Sequence, residues 1–138
     1  MRANLPSRFE VRTTLNNRNH EGAYVSLSLI TDYKNNYSFL LGPSNEQGEV
    51  SILKDEIIEK GRQQLEAALM DYGPIQNVYT GEYSVRVLQK EDLERVIKAY
   101  ERYQAEKKKS EILKLRDALA QWHEGLRDVV ATCDSVEG

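Results

Sequence analysis

The chain has 138 residues, 40% of them hydrophobic and 30% charged, with a formal net charge of −3. This length and composition fit one folded globular domain with a modest core. The acidic balance argues against nucleic acid as a partner, because binding to phosphates depends on Lys and Arg. A single cysteine excludes an internal disulfide. No apolar stretch is long enough for a bilayer span or a signal peptide, so we expect a cytoplasmic protein with no membrane partner.

The first half of the chain alternates apolar and polar residues, as half-buried strands do. The alternation runs through 8–15, 23–31 and 37–41 and resumes at Val50 and Ile52, with turns rich in Asn, Gly and Pro between these segments. Segment 75–88, "IQNVYTGEYSVRVL", returns to the same pattern. The sequence therefore predicts an α+β protein with a mainly antiparallel, sandwich-like β body.

One helix is predicted inside this body, over 55–72. Apolar residues recur there at spacings of three and four, and Asp55, Glu56 and Glu59 lie near the positive end of the helix dipole. Gly73 and Pro74 should end it. Residues 1–88 are thus interpreted as a β-rich body with one crossover helix.

Residues 89–133 contain no Pro and one Gly, and we predict that they form a helical arm followed by a frayed tail at 134–138. A first apolar stripe, from Leu93 to Tyr103, would lie on the body. Residues 104–111 are almost wholly polar. A second stripe, from Ile112 to Cys133, has the spacing of a coiled coil or bundle. The arm is expected to be a long helix or a helical hairpin.

The second stripe predicts a partner, because an exposed apolar arm would be prone to aggregate. A homodimer is the first expectation and a larger protein the second. The alternative is an intramolecular hairpin that bends near 107–110. Trp122 is the expected hot spot, since large aromatics dominate interface energies. The predicted partner-binding residues are Ile112, Leu115, Leu119, Trp122, Leu126 and Val129.

No catalytic, metal or cofactor site is predicted. His20 lies in a polar loop, and His123 has no ligand at a recognised spacing. Cys133 falls on the apolar stripe, where it is interpreted as a small hydrophobe. The glycines form no phosphate-binding motif. The chain is therefore predicted to be non-enzymatic.

The chain has a weak turn-then-strand motif, which is formed by Gly48, Glu49, Val50 and Ile52. The predicted crossover helix and the "YSVRVL" strand follow it along the chain. On these features residues 8–88 resemble the prealbumin-like sandwich of carboxypeptidase regulatory-like and Cna-B-type domains. The chain departs from that pattern by inserting helix 55–72, and an unrelated α+β fold is the alternative. The resemblance implies a scaffold for binding or spacing.

The preferred function is a protein-interaction module that assembles with itself or with a larger protein through its C-terminal amphipathic helix. The alternative is a small-ligand binding or enzyme-accessory domain with a pocket between the sheet and helix 55–72. Nucleic-acid binding through Arg12, Arg86 and 107–109 comes last, because the chain is acidic overall.

Overall fold

The structure, a computed structural model, describes residues 3–32, 36–60, 75–104 and 106–137. These ranges hold seven strands, three α-helices and two short 3₁₀ turns, at Ile75–Asn77 and Glu124–Asp128. The strands are β1 (Arg8–Leu15), β2 (Arg18–Asn19), β3 (Val25–Thr31), β4 (Tyr37–Leu41), β5 (Glu49–Leu53), β6 (Tyr79–Val87) and β7 (Val130–Val136). The helices are α1 (Lys54–Lys60), α2 (Lys90–Gln104) and α3 (Lys109–Ala120). The predicted α+β class is confirmed at this level.

The start of the predicted helix 55–72 coincides with α1. Its remaining residues, with the expected end at Gly73 and Pro74, lie outside the described residues. The five predicted strands are all present as β1, β3, β4, β5 and β6.

The first sheet is built around β1. It pairs with β5 from Arg8↔Leu53 to Arg12↔Glu49, and with β7 from Arg8↔Val136 to Thr14↔Val130. The short β2 pairs with β1 at Thr14 and Leu15, on the same edge of β1 as β5. All of these pairs are antiparallel, and the inward side chains of β1, such as Phe9 and Val11, are fully buried.

The second sheet has the order β4–β3–β6, again antiparallel. One cluster of buried side chains draws on both sheets, with Phe9 and Ile52 from the first and Leu27 and Phe39 from the second. Phe9 also meets the Tyr83 ring edge to face, with 4.9 Å between ring centroids. The two sheets therefore share one hydrophobic core.

A second core lies between the helices and one end of the second sheet. Tyr24 and Leu88 supply the sheet side of this cluster, and α2 and α3 supply the rest: Leu93, Val96, Ile97, Tyr100, Ile112 and Leu115. The helices form a hairpin, with a turn at 106–108 and an ion pair between Arg116 and Glu101. The bend lies where the polar run 104–111 breaks the apolar pattern. No helix within the described residues has both the length and the apolar content to cross a membrane.

The predicted helical arm over 89–133 is wrong beyond Ala120. The chain continues as a 3₁₀ turn at Glu124–Asp128 and then as β7. The β-branched side chains of Val130 and Thr132 suit a strand, and pairing with β1 outweighs the weak helical periodicity. The frayed tail predicted at 134–138 is also wrong for 134–136, because these residues belong to β7. The C-terminal strand is thus part of the β body.

Candidate functional site

A concave site with a largely apolar lining lies where the β body meets the end of the helical hairpin. A cavity of about 220 Å³ separates segment 20–24 from residues 118–129. We call it the histidine pocket, because His20 lines one wall and His123 the other. Its apolar lining is supplied mainly by Val87, Leu88, Leu93, Ala118, Leu126 and Val129.

The body wall of the pocket is held by two buried hydroxyls. Thr13 Oγ1 donates to the His20 carbonyl at 2.9 Å, and Ser44 Oγ donates to the same carbonyl at 2.7 Å. Ser44 Oγ also accepts from the Ala23 N–H at 2.9 Å. Thr13 and Ser44 are 0% and 3% exposed, so these bonds form away from water. Such a network fixes the backbone that carries His20.

Close backbone contacts reinforce this wall. Gly48 has a φ of +76°, and a Cβ there would clash with the Thr13 carbonyl and come within 3.1 Å of the His20 nitrogen. Gly42, at a φ of +133°, would place a Cβ 2.7 Å from the Ala23 carbonyl oxygen. Both positions require glycine, because the conformation and the space exclude a side chain.

The C-terminal wall is built differently. Here α3 ends at Ala120, and Gln121, Trp122 and His123 follow it into the pocket lining. The His123 ring lies over Gly125, where an added Cβ would meet its Cε1 and Nδ1 atoms at 3.2 Å. The backbone bonds that fix this wall are local, such as Leu126 N–H to the His123 carbonyl at 3.0 Å. Packing of Leu126 and buried Val129 against the main core supplies the rest.

Burial and neighbouring charges shift the pKa values of His20 and Tyr24 in the pocket. Burial lowers the pKa of His20, and the charge of His123 lowers it further. Burial also raises the pKa of the Tyr24 hydroxyl to about 12, with smaller contributions from the negative charges of Glu111 and Asp117. His20 therefore favours its neutral form, and the potential at Tyr24 is negative.

The six predicted partner-binding residues do not share one surface. Ile112 and Leu115 are buried inside the hairpin core, with Leu119 packed against it. Leu126 and Val129 line the histidine pocket, and Trp122 both lines this pocket and packs against the hairpin core. The second stripe is thus divided between two places within the same chain.

Sequence reasoning missed His20, Tyr24 and His123 as members of one site. The only local hint was the neighbouring pair Trp122 and His123 after an amphipathic helix. His20 and His123 are far apart along the chain and come together because the helical hairpin packs on Tyr24 and Leu88 and β7 returns the C-terminal segment to the body. Such convergence leaves no periodic signal in the sequence.

Metal and thiol chemistry find little support. Among the described residues, no group of three or more His, Cys, Asp or Glu side chains is placed to hold a metal ion. Cys133 is half-buried in β7, and burial raises the pKa of its thiol to about 11, with a further contribution from Asp134. A thiol of this kind is a poor nucleophile at neutral pH.

A second depression lies on the outer face of the first sheet, with a volume of about 330 Å³. Two of its acidic side chains are held in ion pairs. Glu49 pairs with Arg12 of the lining at 3.0 Å, and Glu10 pairs at 2.9 Å with Arg8, which lies outside the lining. This face is mostly polar and exposed, which is ordinary for the solvent side of an antiparallel sheet.

Comparison of the chain with protein-family models, curated proteins and solved structures gives no match. Function is therefore inferred from the chemistry of the histidine pocket.

Proposed function

We propose that this protein is a small-molecule binding module whose ligand occupies the histidine pocket. The observation that carries the proposal is the convergence of apolar side chains with a few polar groups on a fixed backbone. Ligand sites typically combine a mostly apolar lining with a small number of well-placed polar groups. The buried bonds of Thr13 and Ser44 to His20 hold one wall ready before any ligand arrives.

The volume of the pocket limits the ligand. Pockets for drug-sized molecules are roughly 300–1,000 Å³, and this one is about 220 Å³. The ligand is accordingly a molecule with a short apolar body, smaller than a nucleotide. Its polar group would contact the polar side chains of the lining, which include His20, Glu21 and His123.

Trp122 gives a direct assay, since it is the only tryptophan of the chain and lines the pocket. A fragment library screened by Trp122 fluorescence should reveal small molecules that change the emission. The same molecules should raise the melting temperature, because a ligand that binds only the folded state stabilises it. If no fragment does both, small-molecule binding in this pocket is refuted.

Two alanines of α3 provide a matched control. Ala118 lines the pocket, whereas Ala120 is exposed on the same helix. Ala118→Leu should fill part of the cavity and abolish the fragment response. Ala120→Leu should retain the response of the parent protein. Equal responses of the two variants would place the bound fragment elsewhere.

The second candidate is assembly through the C-terminal helix, which Tyr103 and Leu113 favour. They belong to α2 and α3 and are 50% and 58% exposed. Assembly through Ile112 and Leu115 would require the hairpin to open, because both are buried within the chain. A concentration-dependent mass measurement tests this candidate.

For the body we propose a two-sheet sandwich of the prealbumin-like type. The shared core of Phe9, Ile52, Leu27 and Phe39 supports this arrangement. Sheets in aligned sandwiches cross at about 30°, and orthogonal packings cross near 90°. An experimental structure with the sheets near 90° would overturn the proposal.

A further inference from the structure

We propose that the ligand of the histidine pocket is a small organic cation, an ammonium group carried on a short apolar body. This inference rests on the proposed function, since it concerns the same cavity. It follows from the charges, the helix end and the aromatic side chains that surround the cavity.

The lining carries a negative permanent charge. Among the described residues that line the pocket there is no Lys or Arg, and Glu21 is the one acidic side chain. An anionic ligand would have to be held by imidazoles alone. Burial works against the positive form of His20, so it offers little to an anion at neutral pH. The permanent charge instead matches a cation.

The end of α3 adds to this preference. Gln121 caps the C-terminus of the helix and lines the pocket. The carbonyl end of a helix carries a partial negative charge that favours cations nearby. Asp117, in the last turn of the same helix, and Glu111 make the potential at Tyr24 negative. The field on this side of the cavity therefore favours a positive ligand.

Two aromatic side chains and the neutral imidazole of His20 supply the remaining contacts. Trp122 and Tyr24 both line the cavity, and aromatic faces attract ammonium groups through their quadrupoles. A neutral imidazole has one nitrogen that accepts a hydrogen bond, which an ammonium N–H can donate. The apolar body of the ligand would pack on Leu88, Leu93 and Val129.

Three probes with nearly the same apolar body separate the possibilities: isoamylammonium, isoamyl alcohol and isovalerate. Each is titrated into the full-length protein at pH 7.5, roughly one unit above the ordinary His pKa, and followed by Trp122 fluorescence. Isoamylammonium should bind about 5-fold or more tightly than isoamyl alcohol, as a partly desolvated cation–π contact and one ion pair allow. Isovalerate should bind most weakly.

The other outcomes of these titrations distinguish a failure of the cationic ligand from a failure of small-molecule binding. Equal or tighter binding of the alcohol or of isovalerate overturns the cationic ligand and leaves the small-molecule function standing. If none of the three binds while library fragments do, the cationic class again fails and the function survives. If neither the probes nor any fragment binds, both proposals fail.

Glu21 provides the residue-level test. Glu21→Gln should weaken isoamylammonium binding by about 3-fold, in line with an exposed ion pair, and leave isoamyl alcohol unchanged. Glu82→Gln is the matched control, because Glu82 is an exposed glutamate on β6 outside the pocket lining. Equal affinities for isoamylammonium in the parent and Glu21→Gln proteins would contradict the charge argument. Circular dichroism of both variants establishes that the fold is intact.

Discussion

The two walls of the histidine pocket are held by different means. The body wall is fixed by two buried hydroxyls with long-range partners: Ser44 bonds to His20, 24 residues away, and Thr13, besides nearby His20, reaches the Gly48 carbonyl at 3.0 Å. The C-terminal wall relies on local turn bonds and on side-chain packing, and Gln121 and His123 are exposed. Local bonds with exposed side chains open at lower free energy than buried long-range networks. We therefore expect the body wall to keep its shape and the C-terminal wall to open more readily, which is where the proposed ligand would enter.

Two glycine substitutions, one in each wall, should give the largest difference in stability. Gly48→Ala forces a Cβ against the Thr13 carbonyl at a positive φ, and we expect a loss of about 3 kcal/mol in the free energy of unfolding. Gly125→Ala meets only the His123 ring, which can rotate, so its cost should stay below about 1 kcal/mol. Chemical denaturation of both variants measures the difference. Equal losses would mean that the two walls are equally rigid.

The anchor between the sheet and the hairpin should give the next largest effect. Burial would raise the pKa of Asp92, but hydrogen bonds from Arg86 and the Gln89 N–H, with the charges of Arg86 and Arg95, lower it overall. Its carboxylate accepts from Arg86 at 2.7 and 3.2 Å and from Gln89 at 2.9 Å. This arrangement ties the first turn of α2 to β6, and Leu93 of that turn lines the pocket.

Asp92→Asn should therefore cost about 1 kcal/mol at pH 7, because the Asp92 carboxylate is mostly buried but its partner Arg86 is half exposed to solvent. Because the folded pKa is lowered, this stabilisation is present above the ordinary Asp pKa and disappears as the pH falls through the folded value. The parent and the variant should converge in stability as the pH falls below the lowered pKa of Asp92. Denaturation curves across this range test it, with exposed Glu91→Gln as the control. A constant difference at all pH values would exclude an ionised Asp92 as the cause.

Ligand binding should show a smaller pH effect of defined sign. His20 is faced by His123 from the C-terminal wall and by Glu21 and Tyr24 from its own segment. Since the pKa of His20 is lowered, its protonation below about pH 6.5 would place a positive charge beside a bound ammonium group. Affinity for isoamylammonium should fall by about 3- to 10-fold as the pH is lowered from 7.5 to below the pKa of His20, because like charges repel. A rise in affinity over this range would contradict repulsion by His20.

The smallest expected effect concerns assembly. Trp122→Ala removes a side chain that the structure places in the pocket, so the mass of the protein in solution should not change. Light scattering over a wide concentration range measures it. A parent dimer that becomes a monomer in the variant would restore the C-terminal helix as an interface. If the variant keeps the parental mass, Trp122 does not contribute to assembly, and its proposed role is in the pocket.

The strands were predictable because alternation is a local property of the chain. Phe9 and Val11, for example, reveal the inward face of β1 without knowledge of its neighbours. The polar run 104–111 likewise marked the turn between α2 and α3 as a place where the chain could bend. These features depend on neighbouring residues, which sequence patterns describe well.

The final strand was missed because its pattern is ambiguous. Leu126, Val129 and Cys133 fit helical spacing, while Val130 and Thr132 favour a strand. Pairing with β1 decides between them, and that contact is non-local. The same contact helps to bring His123 to His20, so the error that hid β7 also hid the pocket.

The position of β1 between β5 and β7 has a consequence for synthesis in the cell. The central strand β1 leaves the ribosome before β7, so one of its edges stays unpaired until residues 130–136 have followed. Long-range pairing of this kind slows folding, and an open strand edge can pair with other chains. The nascent chain is thus most vulnerable to misassembly between the emergence of β1 and that of β7.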